Sequence, residues 1–398
     1  MTDSIEPRRR DVLLAALSLL SACGGVDSGG TGTGTGASST YASGPITGFG
    51  SIIVNSVRFD ESNASIEDDD GGVRSGNELR LGMRTEIVAS AVTTTAGVSS
   101  ATAMSIRLQR EIVGPLESRD LVNARLVVLG QTVSVVATTA FDAAITGGLA
   151  SLVAGDVLDV YASFDAAAGR YVASRIDRRS NVAAYKLRGT VATLSLTAKT
   201  LTVGQLTIDW SGAAPSDPAT ALAPGRWLRV TLPTTPQGGV WRATTLTSGL
   251  PMPADRDAAE VEGRITAFTS PIDFALDGLP VDASGATFPD GSAGLTLGAR
   301  VEVHGSLRGG VLLARRVEIE GEEGAGGADT FELHGSVESV DAPASRFMLR
   351  GVTISWNAAT RFEGGTADTL QVGRNVEVKG RLSSDGLSIE AISVQFET

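Results

Sequence analysis

Val376-Glu377-Val378-Lys379-Gly380, followed by Ser384-Asp385-Gly386 and a run from Ile389 to Val394, is the stretch that decides the fold. Strict alternation predicts a strand with Val376 and Val378 inward and Glu377 and Lys379 outward. Asp-Gly between two alternating runs predicts a hairpin, because both residues tolerate positive φ. Upstream, Phe331 to Val340 reads as a first strand across Gly335. Phe347-Met348-Leu349 and Val352-Thr353-Ile354-Ser355-Trp356 read as the next two, turning at Arg350-Gly351. Thr360-Arg361-Phe362 and Leu370-Gln371-Val372-Gly373 complete the unit.

The same plan recurs. Opening glycines stand at Gly44, Gly114, Gly189, Gly263 and Gly335, at intervals of 70, 75, 74 and 72 residues. A glycine precedes the fourth strand at Gly82, Gly155, Gly225, Gly298 and Gly373. A hairpin glycine follows at Gly97, Gly169, Gly239, Gly310 and Gly386. Thr139-Ala140-Phe141 and Thr287-Phe288 echo Thr360-Arg361-Phe362. Glycines at bends and short aliphatic strands predict an all-β chain of five tandem small antiparallel β-barrels of OB-like topology, with small β-sandwiches as the alternative. Closure removes exposed sheet edges. The expected repeats are 44–109, 112–178, 185–248, 259–320 and 330–397. Modules of about 65 residues bury only about 60% of their unfolded surface, so packing between neighbours is expected to add stability.

Gly335, Gly351, Thr360, Phe362, Gly373, Val376, Val378, Gly380, Ala391 and Val394 form a pattern that resembles the bacterial domain of unknown function 5666. Gly263, Gly278, Val281, Gly298, Val301, Val303 and Gly305 repeat it in the fourth copy. The resemblance is strongest in the last two copies and weakest in the first. It implies exported β-rich modules, often in lipoproteins, and no activity.

Arg8-Arg9-Arg10, the apolar run Val12 to Leu20, and Ser21-Ala22-Cys23-Gly24 read as a signal peptide over residues 1–22. The apolar run is shorter than the roughly 20 residues a bilayer span needs. Leu20-Ser21-Ala22-Cys23 resembles a lipobox, and Cys23 is the chain's one cysteine. Cys23 is therefore the expected lipidation site, and the twin-arginine and general export routes both remain open. Gly24 favours the outer membrane over the inner. Residues 23–43, rich in glycine, threonine and serine, are expected to be a flexible tether.

The formal charge is −12, which repels phosphate backbones and argues against nucleic-acid partners. The only histidines, His304 and His334, lie on outward faces beside Glu302 and Glu332 and read as solvated strand residues. Glu67, Asp68, Asp69 and Asp70 crowd a glycine-ended turn. That run is the candidate metal site, but it lacks the alternating spacing of a calcium loop and reads better as a solvated acidic turn. Trp227 shares the outward parity of Arg229 and is the candidate binding residue, through stacking on a sugar or packing on the next repeat. Trp210 and Trp356 share the parity of core residues.

No nucleophile, phosphate loop or cofactor motif stands out, so the chain reads as a non-enzyme without cofactor. It is expected to bind or scaffold at the cell envelope, held to the membrane through its N-terminal lipid. Envelope polysaccharide, peptidoglycan or another envelope protein are the expected partners. A purely structural spacer is one alternative. The other is a hydrolase using carboxylates, which requires a deep pocket in one copy with facing carboxylates of raised pKa.

Overall fold

A computed structural model describes residues 39–213, 215, 222–250, 252–321 and 330–397. The signal peptide, Cys23 and most of the tether lie outside the described residues. So does most of Gly321–Asp329. Among the described residues there is no α-helix.

The second repeat shows the architecture. Its strands are Ile112–Asp120, Arg125–Val128, Gln131–Phe141, Val157–Asp165 and Arg170–Arg179. The first pairs antiparallel with the second and fourth, the second with the third, and the fourth with the fifth. The third and fifth pair in parallel. This circuit, 1-2-3-5-4-1, closes on itself. It is the five-stranded OB-type barrel and not a sandwich of two sheets. The circuit recurs in all five repeats. Their first strands are Thr40–Pro45 with Gly48–Phe49, Ile112–Asp120, Tyr185–Ser195, Arg256–Ser270 and Phe331–Asp341.

The recurring residues have distinct physical causes. Gly82, Gly155, Gly225, Gly298 and Gly373 adopt φ between 79° and 93°, as their turns before the fourth strand require. The opening glycines, in contrast, do not make turns: they lie inside or beside a first strand. At Gly114 an added Cβ would come within 2.8 Å of Leu129, the first residue of the turn that joins strands two and three. Asn55 and Asp277 fold over Gly44 and Gly263 in the same way. The threonine of Thr-x-Phe stitches the third-strand segment to the fifth strand. Thr139 donates to Ala173 O at 2.6 Å, Thr287 to Arg315 O at 3.3 Å, and Thr360 to Ala391 O at 2.8 Å.

The barrels are not a string. The first strand of barrel 1 pairs in parallel with that of barrel 4 (Thr40↔Ala258, Ser43↔Val261) and, further on, with that of barrel 5 (Gly48↔Glu332). The first strands of barrels 2 and 3 pair at Ile112↔Leu187. The apolar cores follow these pairings. Barrels 1 and 5 share one cluster, barrels 2 and 3 share another, and Tyr41 of barrel 1 inserts into the core of barrel 4.

Two expected boundaries move as a result. Thr40–Ser43 belongs to a buried strand hydrogen-bonded on both sides, not to the tether. Its small residues suit close strand packing as well as they suit a linker. The segment 249–258 is likewise not a free linker: Arg256–Ala258 opens a strand, and Gly249 is packed against the Leu228 backbone.

Candidate functional site

The acidic turn of barrel 1 is a structural hub. Asp68 organises the turn by accepting from the backbone N–H of Gly72 at 2.9 Å and of Asp70 at 3.0 Å. Burial raises its pKa, but Arg74 at 2.6 Å and the Gly72 N–H outweigh that and hold the carboxyl below its usual value. Asp69 pairs with Arg110, in the connection to barrel 2, and with Arg229 of barrel 3. Asp70 pairs with Arg110 at 3.1 Å and with Lys186 of barrel 3. Arg110 also reaches Asp159 of barrel 2 at 3.4 Å.

The turn is therefore only partly solvated, with Asp68 and Asp69 enclosed by cations and Asp70 at the surface. Four cationic side chains occupy the positions around Asp68, Asp69 and Asp70, and Glu67 points away, exposed. Sequence reasoning missed this because, Arg74 apart, the partners lie 40 to 160 residues distant.

Trp227 is buried although its strand parity points outward. Its ring packs edge-on against Phe164 of barrel 2 at 5.8 Å, and Arg188 lies over it at 4.5 Å. A Cβ added at Gly278 of barrel 4 would meet the indole at 3.4 Å, so that glycine lies beside the ring. The outward face of a barrel is buried wherever another barrel covers it, so Trp227 is part of a junction and offers no surface to a sugar. Trp210 is buried, and Trp356 is partly buried against the core.

The histidines are not solvated strand residues either. On barrel 4, His304 Nε2 lies 3.1 Å from Glu302 and 3.4 Å from Glu318, while Nδ1 lies 3.6 Å from Glu260. Hydrogen bonds to Glu260 and Glu302 raise the His304 pKa to about 10. On barrel 5, His334 Nε2 lies 2.8 Å from Glu332 and 3.7 Å from Glu377, with Nδ1 2.9 Å from Glu397. Burial opposes protonation of His334, but its bonds to Glu332 and Glu397 prevail and raise its pKa. Arg58 of barrel 1 and Lys379 also pair with Glu332. The His334 hydrogen bond, ahead of these cations, lowers the Glu332 pKa to about 2.

Clefts between barrels include two large ones. One, of about 570 Å³, is walled by barrels 1, 2 and 5 and lined by Phe49, Arg80, Phe141, Arg175, Glu338 and Arg350. The other, of about 460 Å³, separates barrels 4 and 5 over a floor from barrel 1 and is lined by Glu302, Glu320, Glu332, Arg58, Arg300 and Lys379. Burial raises the pKa of Glu302 and of Glu320. These carboxylates line a space between copies, whereas the hydrolase reading required a pocket within one.

No curated protein matches the chain. Among solved structures, Drosophila Unr CSD456 aligns with 55% of this chain and 98% of its own length, at 14% identity and a TM-score of 0.14. No helix among the described residues is long and apolar enough to cross a membrane. Residues 113–177, 262–318 and 334–395 match the family described as Domain of unknown function (DUF5666), and these are the segments that form barrels 2, 4 and 5. Three of the five barrels thus match the DUF5666 domain, consistent with repeats of it in this chain.

Proposed function

We propose that this is an exported envelope protein, anchored through an acylated Cys23, that binds a ligand without catalysing its conversion. The observation that carries the reading is the mutual docking of the barrels. Their first strands pair and the charges joining barrel 1 to barrels 2 and 3 are buried, so concave surfaces are left as clefts between barrels. Ligand sites favour such concavities, where a few polar groups fix orientation. Arg80, Glu338 and Arg350 supply those groups in the larger cleft, beside Phe49 and Phe141. Envelope polysaccharide, peptidoglycan or an envelope protein remain the partner classes. Weak contacts presented in series become a fixed constellation rather than a flexible one. A spacer gains reach from barrels set end to end, and the return of barrels 4 and 5 onto barrel 1 works against that.

The test uses the processed chain with Cys23→Ser, keeping Thr40–Ser43, on glycan and peptidoglycan-fragment arrays. Reproducible hits that Arg80→Glu with Arg350→Glu abolishes support the reading. Silence on the arrays, together with no envelope protein captured by crosslinking, favours the spacer. Mass spectrometry of the exported form tests the anchor, and an unmodified Cys23 thiol would remove it.

A further inference from the structure

The outer faces of barrels 4 and 5 match position for position, and the difference between them points to a ligand. Register fixes the comparison, since Gly263 faces Val301 in barrel 4 as Gly335 faces Val376 in barrel 5. Counting outward from those pairs, Glu262 and Glu302 correspond to His334 and Glu377. Glu260 and His304 correspond to Glu332 and Lys379. On the fifth strand, Glu318 faces Glu302 where Gln395 faces Glu377. Barrel 5 therefore carries its own fixed cation: the Lys379 ammonium lies 3.0 Å from Glu377 and 3.4 Å from Glu332, and Arg58 joins from barrel 1. Barrel 4 has exchanged that lysine for an imidazole and the glutamine for another carboxylate.

We propose that the face of barrel 4 binds one divalent transition-metal ion through His304 and Glu302, with Glu260 and Glu318 as the flanking carboxylates. Metal–ligand bonds of about 2.1 Å place neighbouring donors about 3.0 Å apart in an octahedral site and about 3.4 Å apart in a tetrahedral one. The spacings from His304 Nε2, 3.1 Å to Glu302 Oε1 and 3.4 Å to Glu318 Oε2, fall in that window. Glu318 uses its other oxygen, Oε1, for Arg316, so Oε2 faces the imidazole. Glu260 stands at Nδ1, where a carboxylate fixes the ring orientation of a metal-binding histidine.

Glu302 and Glu318 are direct cross-strand partners with the His304 imidazole between them, and Arg316 offsets only the Oε1 side of Glu318. One imidazole among carboxylates selects zinc-like ions over calcium or magnesium, which prefer all-oxygen sets. Glu302 also lines the cleft between barrels 4 and 5, so the ion enters from solvent.

Isothermal titration of the full processed chain, with Cys23→Ser to remove the competing thiol, tests the site with Zn²⁺, Mg²⁺ and Ca²⁺. The expected result is one equivalent of Zn²⁺, bound at least about 100-fold more weakly by His304→Ala and by Glu302→Gln. His334→Ala is expected to bind like the parent. Thermal midpoints in chelator, equal for all four proteins, establish that the folds are intact. Zn²⁺ should raise the midpoint only of the parent and His334→Ala. Absence of saturable Zn²⁺ binding in the parent overturns the proposal, as does undiminished binding by both His304→Ala and Glu302→Gln. A preference for Ca²⁺ over Zn²⁺ overturns it too.

Discussion

Two of the junctions through which barrel 1 meets its neighbours treat charge in opposite ways. Towards barrels 2 and 3, the side chains of Asp69 and Arg110 are 4% and 7% exposed, and further guanidinium and carboxylate groups close around them. Towards barrel 5, the side chains of Arg58 and Glu332 are 32% and 22% exposed and border an open cleft. The first junction is glued by desolvated charge. The second is held by the short parallel pairing of Gly48–Phe49 with Glu332 and Leu333 and by a shared apolar core, with its ion pair at the edge. A buried pair need not add stability over an apolar one of equal shape, yet removing one partner strands the other in a low dielectric. The contrast therefore predicts unequal consequences for similar substitutions.

The largest effect is expected at Arg110. Arg110→Ala leaves Asp69 and Asp159 short of a buried cation and should cost about 3–5 kcal/mol. Urea denaturation measures it. A loss below about 1 kcal/mol would mean that water fills the junction readily, and the distinction between the two interfaces would collapse.

A pH titration sharpens the same contrast. Asp177 lies beside Arg175, which bridges from barrel 2 to Leu81 O of barrel 1 at 3.0 Å. Burial raises the Asp177 pKa from 3.8 to about 6, against the pull of Arg175. Between those pH values the folded chain holds more protons than the unfolded chain. The stability due to the raised pKa is thus fully present below about pH 4 and lost as pH rises through about 6. A shift of about two units corresponds to roughly 3 kcal/mol. Asp177→Asn should remove that downward slope from a plot of stability against pH, and an unchanged slope would place Asp177 in contact with water.

How far the sequence reveals these features depends on the range over which each is determined. The barrel circuit was legible because strand alternation and turn glycines are local: Val376 and Val378 are buried as their parity requires, and Gly373 has φ 86°. The opening glycines were legible as landmarks but not in their cause, since the residue folding over Gly263 is Asp277, in the turn between the next two strands. For Trp227, packing on a neighbouring repeat is what the structure shows and sugar stacking is not, while the acidic turn was misread as solvated; one reason covers both. Parity tells which side of a strand faces outward, but it does not tell whether a neighbouring barrel covers that side. The histidines were placed correctly beside Glu302 and Glu332. Their full carboxylate sets remained hidden because Glu318 and Glu397 arrive from the fifth strands.

The smallest effect is expected at Arg58. Arg58→Ala removes a cation from Glu332, but Lys379 at 3.4 Å and His334 at 2.8 Å remain, and water reaches all of them. Exposed pairs contribute about 0–1 kcal/mol and are screened by salt. The variant should therefore differ from the parent by less than about 1 kcal/mol at low ionic strength and by nothing measurable in 1 M NaCl. A salt-independent loss several times larger would show that Arg58 acts through its packed stem against barrel 5 rather than through its charge. The junction with barrel 5 would then be structural in the same sense as the one around Asp69, with the open cleft beside it a consequence of shape alone.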